Sequence, residues 1–182
     1  MSDRLLELLK ERSFARRKVV LASGRESDFF IDCKQTVLLA EGHALAGDAL
    51  LRRIDAFGRR PRAVAGVELG GCPLASSVAM LSFERGAPLD AIYVRKGEKD
   101  HGSKRMLEGD THLVAGDEVI VLEDVVTTGG STLAAVDKLL ARGLQVLCVV
   151  ALVDRLEGGA EAIDRAGLAF ASIYTRRDFM EP

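Results

Sequence analysis

Tryptophan is absent from this chain, and tyrosine occurs only twice in 182 residues. Even with seven phenylalanines the aromatic content is too low to suggest a stacking platform for single strands. Cysteine occurs three times, at Cys33, Cys72 and Cys148, and never as CxxC. That argues against a zinc knuckle or a disulfide framework and fits a reducing compartment. No apolar run approaches the roughly 20 residues of a membrane span. The opening stretch MSDRLLELLKERSFARRK carries charge throughout and lacks the apolar core of a secretory signal. A net charge of −2 provides no basic field for nucleic acid. Neither GxxxxGK[ST] nor GxGxxG occurs, so a P-loop NTPase and a dinucleotide site both lack support. Internal repeats, low-complexity tracts and linkers are also missing. These absences lead to the expectation of a soluble, cytoplasmic single domain with neither membrane nor nucleic-acid partner.

What is present alternates. Leu5, Leu8 and Leu9 fall at helical spacing after Ser2, a candidate cap. KVVLASGRESDFFID reads as two short strands around a turn at Ser23-Gly24. AEGHALAGDALLRRIDAF reads as an amphipathic helix, AVAGVEL as a strand closed by Gly70-Gly71, and CPLASSVAMLSFERG as a helix with Pro73 in its first turn. DAIYVRK, DEVIVLED, LQVLCVVALVD and AFASIYT read as further strands, with helices over GSTLAAVDKLLARG and GAEAIDRAG. The residues between DAIYVRK and DEVIVLED form a polar passage without periodicity. Strands alternating with helices predict an α/β fold with a mainly parallel central sheet flanked by helices. Ligands of such sheets bind beyond the carboxyl ends of the strands.

At one of those ends stands VIVLEDVVTTGGSTLAAV, residues 119–136, which places Glu123 and Asp124 side by side ahead of a glycine-rich turn. The backbone N–H groups of Thr127, Thr128, Gly129, Gly130 and Ser131 can converge on an anion at a helix N-terminus. Gly129 and Gly130 allow positive φ and close approach, and Thr127, Thr128, Ser131 and Thr132 add hydroxyl donors. Carboxylates serve a phosphate poorly but accept well from sugar hydroxyls, so the combination suggests a ribose phosphate. A cap on the turn is the plainer role open to Asp124. A second stretch, YVRKGEKDHGSKRMLEGD, sets Arg95, Lys96, Lys99 and His101 within seven positions beside Gly97 and Gly102. Such a run is either a solvated charged loop or a basic loop that neutralises a departing anion.

VIVLEDVVTTGGST resembles the 5-phosphoribosyl-1-pyrophosphate (PRPP) motif of type I phosphoribosyltransferases. Arg95-Lys96, Lys99-Asp100-His101-Gly102 resembles the catalytic loop of the orotate branch of that family. SGRESDFFID is similar to the family's orotate-side segment, with Phe29-Phe30 at its aromatic pair. GVELGGCPLA resembles its pyrophosphate-side loop, which often contains an unusual peptide, and LVDRLEGG sets Arg155 where the family holds the orotate carboxylate. The resemblance implies one domain over residues 1–182, with a hood from roughly 1–35 and C-terminal elements, and a mobile catalytic loop at about 95–108. It implies PRPP and orotate as substrates and Mg²⁺ as cofactor, the ion held mainly by substrate. Lys99, His101, Glu123 and Asp124 become the catalytic candidates. PRPP would be bound by Arg95, Lys96, Lys99, His101, Glu123, Asp124, Val125, Val126, Thr127, Thr128, Gly129, Gly130 and Ser131. Orotate would be bound by Phe29, Phe30, Thr127 and Arg155. A homodimer that shares the loop across subunits is likewise implied.

Three positions depart from the family pattern. Ala22 and Gly70 stand where some members carry lysines, and Glu123 stands where many carry aspartate. Two rival readings remain open: transfer to a purine or uracil instead of orotate, and a non-enzymatic regulator that senses nucleotides and binds RNA on the same fold.

Overall fold

The computed structural model describes residues 3–20, 26–97 and 105–180. A helix, α1 (Arg4–Arg12), leads into an antiparallel hairpin of β1 (Phe14–Val20) and β2 (Glu26–Ile31). A short helix, α2 (Lys34–Val37), and the long α3 (Ala40–Asp55) follow. The chain then alternates: β3 (Ala63–Val67), α4 (Gly71–Glu84), β4 (Asp90–Val94), the two-residue β5 (Leu107–Glu108) and a 3₁₀ turn at Asp110–His112. It closes with β6 (Glu118–Val126), α5 (Gly130–Ala141), β7 (Gln145–Asp154), α6 (Gly159–Arg165), β8 (Ala169–Thr175) and α7 (Arg176–Met180).

The six-stranded sheet has the order β5-β4-β3-β6-β7-β8 and is parallel except where β5 pairs antiparallel with β4. The alternation read from the sequence therefore yields the expected sheet. Its central strands are apolar on both faces, and the period-2 pleat divides them between two cores. Val64, Ile120, Leu122, Val150 and Leu152 pack with α1, α3 and α4 on one side. Ala63, Ala65, Val67, Val119, Val121, Val149 and Ala151 pack with Val136 and Leu139 of α5 and Ile163 of α6 on the other. Cys33, Cys72 and Cys148 are all buried thiols, and Cys148 is a small apolar member of the first core.

The hairpin is held by both flanks of the chain. Asp3, rather than Ser2, caps α1: its carboxylate accepts from Leu6 N at 3.2 Å and from the Tyr174 hydroxyl at 2.8 Å. The rings of Phe14, Phe29 and Phe179 form a cluster with centroids 5.1–5.7 Å apart. Arg176 of α7 pairs with Asp28 of β2.

Several boundaries differ from the sequence reading. Strand β6 runs on through Val126, so the acid pair lies within the strand instead of ending it. The longer β7 supplies the ladder, pairing Val125 with Val153 and Val126 with Asp154. Helix α4 begins at Gly71, one residue before the expected start at Cys72, and keeps Pro73 in its first turn. The passage after β4 contains β5 and the 3₁₀ turn, and α2 and α7 are too short to carry a periodic signal.

Candidate active site at the carboxyl edge of the sheet

Because β3, β4, β6 and β7 are parallel, their carboxyl ends share one edge. Glu68, Arg95, the acid pair and Arg155 are thereby gathered from four separate stretches of sequence.

The cradle after β6 is built much as its residue types require. Gly129 has φ +83° and precedes α5, whose free N–H groups open toward the bend formed by Thr127 and Thr128. A side chain at Gly129 would be strained by that φ and would also crowd Gly159 O at 3.2 Å. Gly130 differs from the expectation: it is the first residue of the helix and is not among the left-handed glycines. A Cβ there would meet open space. Thr128, Gly130 and Ser131 are exposed, Thr127 is half-buried, and Val126 is buried beneath them.

Thr132 also departs from its expected role. It is buried, and its hydroxyl donates to Glu123 Oε2 at 3.2 Å instead of facing the cradle. Glu123 itself is only 4 % exposed. Burial first, and the neighbouring charge of Asp124 second, push its pKa up to about 8, partly offset by Thr132 and by the positive charge of Lys96. The folded protein therefore holds a proton there that the unfolded chain, at an ordinary 4.5, would release. This contribution to stability is complete below about pH 4.5 and is lost as pH rises through 8. Ligand-free Glu123→Gln should match the parent in denaturant unfolding at pH 4.5 and exceed it at pH 9 by roughly 1–3 kcal/mol. Equal stability at pH 9 would contradict a buried, protonated Glu123.

Asp124 sits over the β3–α4 turn. A Cβ added at Gly70 would overlap its carboxylate, and one at Gly71 would overlap Leu122 O, so this turn is glycine because β6 lies against it. The Glu68–Leu69 peptide in the same turn is cis, the unusual peptide expected there.

At the end of β4, Lys96 is exposed, and its N–H donates to Glu68 Oε2 at 2.7 Å. Arg95 is drawn to Glu108 of β5, with Nη1 3.4 Å from Oε1. Lys99 and His101 lie outside the described residues, as does Ala22.

Arg155 follows β7 and is nearly buried. Its N–H donates to Val126 O at 3.0 Å, which brings it beside the cradle. Its guanidinium donates to Phe29 O at 3.1 Å and lies 2.9 Å from Glu157. The Phe29 ring has no exposed surface, because Phe14 and Phe179 enclose it. Phe29 thus meets Arg155 through its carbonyl and through its ring, whose centroid lies 5.6 Å from the guanidinium, and leaves no ring face open to a ligand. Phe30 is half-buried, with the Arg17 guanidinium 3.9 Å from its ring centroid.

Sequence reasoning overlooked Glu68, Lys138 and Glu157. Glu68 and Lys138 act through contacts between distant stretches, for which the local sequence carries no signal, and Glu157 acts on Arg155 two positions before it. His43 and His112 take structural positions: His43 Nδ1 is 3.1 Å from Val37 O, and His112 Nε2 is 3.1 Å from Asp90.

Comparison with known proteins agrees with this geometry. Residues 38–167 match the family described as phosphoribosyl transferase domain. An orotate phosphoribosyltransferase of Sorangium cellulosum is 65 % identical over 180 residues, covering 98 % of this chain and 92 % of its own. One from Bradyrhizobium sp. is 42 % identical, covering 97 % of this chain and 96 % of its own. The crystal structure of Mycobacterium tuberculosis orotate phosphoribosyltransferase in complex with PRPP superposes with a TM-score of 0.77 at 35 % identity, covering 97 % of this chain and 96 % of that one. A cradle with paired acids, an arginine directly after the adjoining strand and full-length likeness lead to one conclusion: the chain belongs to the phosphoribosyltransferase family and, within it, to the orotate phosphoribosyltransferases.

Proposed function

We propose that the protein transfers the phosphoribosyl group of PRPP to orotate, giving orotidine 5′-monophosphate and pyrophosphate in pyrimidine biosynthesis. The observation that carries this reading is the pairing of Val126 with Asp154, which sets the phosphate cradle beside Arg155. A sugar phosphate and a planar carboxylate can then lie side by side. In the reaction the bond from ribose C1 to pyrophosphate breaks, the bond from C1 to orotate N1 forms, and positive charge develops on the ribose ring. Such a step needs positioning and charge more than a covalent nucleophile.

Thr127 through Ser131 would hold the 5′-phosphate by backbone N–H groups and hydroxyls. Asp124 would accept from the ribose hydroxyls and face the developing cation, and Glu123, protonated without ligand, would join it on giving up its proton beside that positive charge. Arg155, already oriented by Phe29 O and Glu157, would grip the orotate carboxylate with two parallel hydrogen bonds. Phe30 would lie against the base. Lys96, Lys99 and His101 would neutralise the departing pyrophosphate, with His101 a proton donor to it.

The donor set bears on the metal. Among the described residues no group of three or more His, Cys, Asp or Glu side chains could hold an ion. The acid pair can lend an oxygen to Mg²⁺ carried by PRPP, as suits an ion that keeps substrate and water ligands. Mg²⁺ bound this way supplies charge neutralisation of the pyrophosphate.

The single domain would carry its hood on β1, β2 and the C-terminal elements. Buried thiols fit work in the cytoplasm, and no helix of the described residues is long and apolar enough to cross a membrane. A homodimer is supported by exposed apolar side chains: Leu38 and Leu69 line one groove, and Met80 and Phe83 of α4 are exposed, Phe83 by 74 %. Sedimentation should give a dimer for the parent and a smaller species for Phe83→Asp; a monomeric parent would remove the dimer.

The reaction is tested by loss of orotate absorbance on mixing with PRPP and Mg²⁺, with hypoxanthine and uracil in parallel. Mg²⁺-dependent loss with orotate alone is the expected result. Turnover of another base would overturn the orotate assignment, and silence with every base would leave a regulator as the reading.

A further inference from the structure

Lys138 lies on the last turns of α5, far in sequence from the basic stretch after β4, yet its ammonium reaches it. Nζ donates to Arg95 O at 2.6 Å and to Lys96 O at 3.1 Å. From the opposite side Glu68 accepts from Lys96 N at 2.7 Å. The peptide units at Arg95 and Lys96 are therefore held by two charged side chains from two other elements, α5 and the β3–α4 turn. Bonds from a charged donor to carbonyls are stronger than neutral ones. The helix that carries Lys138 is also the one whose N-terminus forms the cradle.

We propose that Lys138 is a positioning residue, which ties the Arg95–Lys96 segment to α5 and so places Lys96 for the pyrophosphate of a substrate whose 5′-phosphate sits at the other end of the same helix. The consequence is a fixed distance between the two anion-binding ends of the site. Lys96 already acts electrostatically on Glu123, which places its charge within reach of the acid pair. Without Lys138 the two carbonyls turn to water, and Lys96 keeps its charge but loses its fixed direction.

The inference rests on PRPP as the ligand, so the test includes a readout that needs no substrate. Lys138→Met keeps the length and apolar stem of the side chain and removes the ammonium, and Lys138→Arg keeps the charge. In steady-state kinetics Lys138→Met should raise KM for PRPP about tenfold and leave KM for orotate within about twofold. Lys138→Arg should recover most of that loss. In the ligand-free protein, limited trypsin digestion followed by mass spectrometry should show cleavage after Lys96 accelerated about tenfold in Lys138→Met, with thermal unfolding unchanged. Equal rises in both KM values, failure of Lys138→Arg to rescue, or unchanged cleavage after Lys96 would each overturn the positioning role. Absence of turnover in the parent, with the cleavage difference intact, would instead count against the orotate reaction and not against the clamp.

Discussion

Installing at position 70 the lysine that some relatives carry should damage this enzyme instead of improving it. Gly70→Lys is expected to lower kcat/KM for PRPP by roughly a hundredfold or more, and Gly70→Ala to cost nearly as much. The reason is local. A Cβ at this position overlaps the Asp124 carboxylate, and the short aspartate side chain has to rotate away to admit it. The backbone at Gly70 is right-handed helical, φ −69° and ψ −29°, so alanine meets no strain there. Fold stability should therefore change little while the acid leaves its place. Parallel measurements of kinetics and thermal unfolding separate the two effects. If Gly70→Ala retained full activity, Asp124 would not need its present position, and its assignment to the ribose would fall. On the proposed reading the extra cation cannot compensate, because the group it displaces faces the same substrate.

Arg155→Ala carries the second large effect. Truncation should cut kcat/KM for orotate by roughly a hundredfold to a thousandfold, the loss expected for a buried charge-assisted pair, while PRPP binding measured by calorimetry stays within about threefold. Arg155→Lys should recover only part, since an ammonium cannot make the planar two-bond grip. Removing the guanidinium also leaves Glu157 without the cation 2.9 Å away, and that alone could weaken the fold. The double variant Arg155→Ala with Glu157→Gln resolves this: stability should return and orotate use should not. Loss of PRPP binding in Arg155→Ala would show that the residue supports the whole site and not the base alone.

The cradle and the acid pair were legible because their chemistry is written in consecutive residues. Glu123, Asp124 and the run from Thr127 to Ser131 need only a strand before them and a helix after them, and both were plain from apolar periodicity. The direction of each side chain was not legible. Thr132 has the same hydroxyl as Thr128, and only the packing of α5 on β6 turns it toward Glu123. Phe29 carries the right ring for a base, but α7 closes over it, and α7 has too few residues to announce itself. Glu68 and Lys138, separated by 70 positions, meet at the Arg95–Lys96 peptide, a meeting that no spacing rule encodes. Gly70 read as a missing cation when considered alone. Against Asp124 it is space that the acid requires.

The hairpin beside Arg155 is secured by Arg176 on Asp28 and by Phe179 against Phe14 and Phe29, and the helix that leads into it by Tyr174 on Asp3. All three ties come from residues beyond position 170. During synthesis the strands around the cradle can pair, and Arg155 can reach Phe29 O, soon after β7 has emerged, whereas the aromatic closure of the hairpin waits for β8 and α7. On the proposed reading, a growing chain thus completes its grip on sugar phosphate before the wall beside the base is closed. Premature capture of PRPP, without a partner to receive the ribose, is a hazard that belongs to this order of assembly.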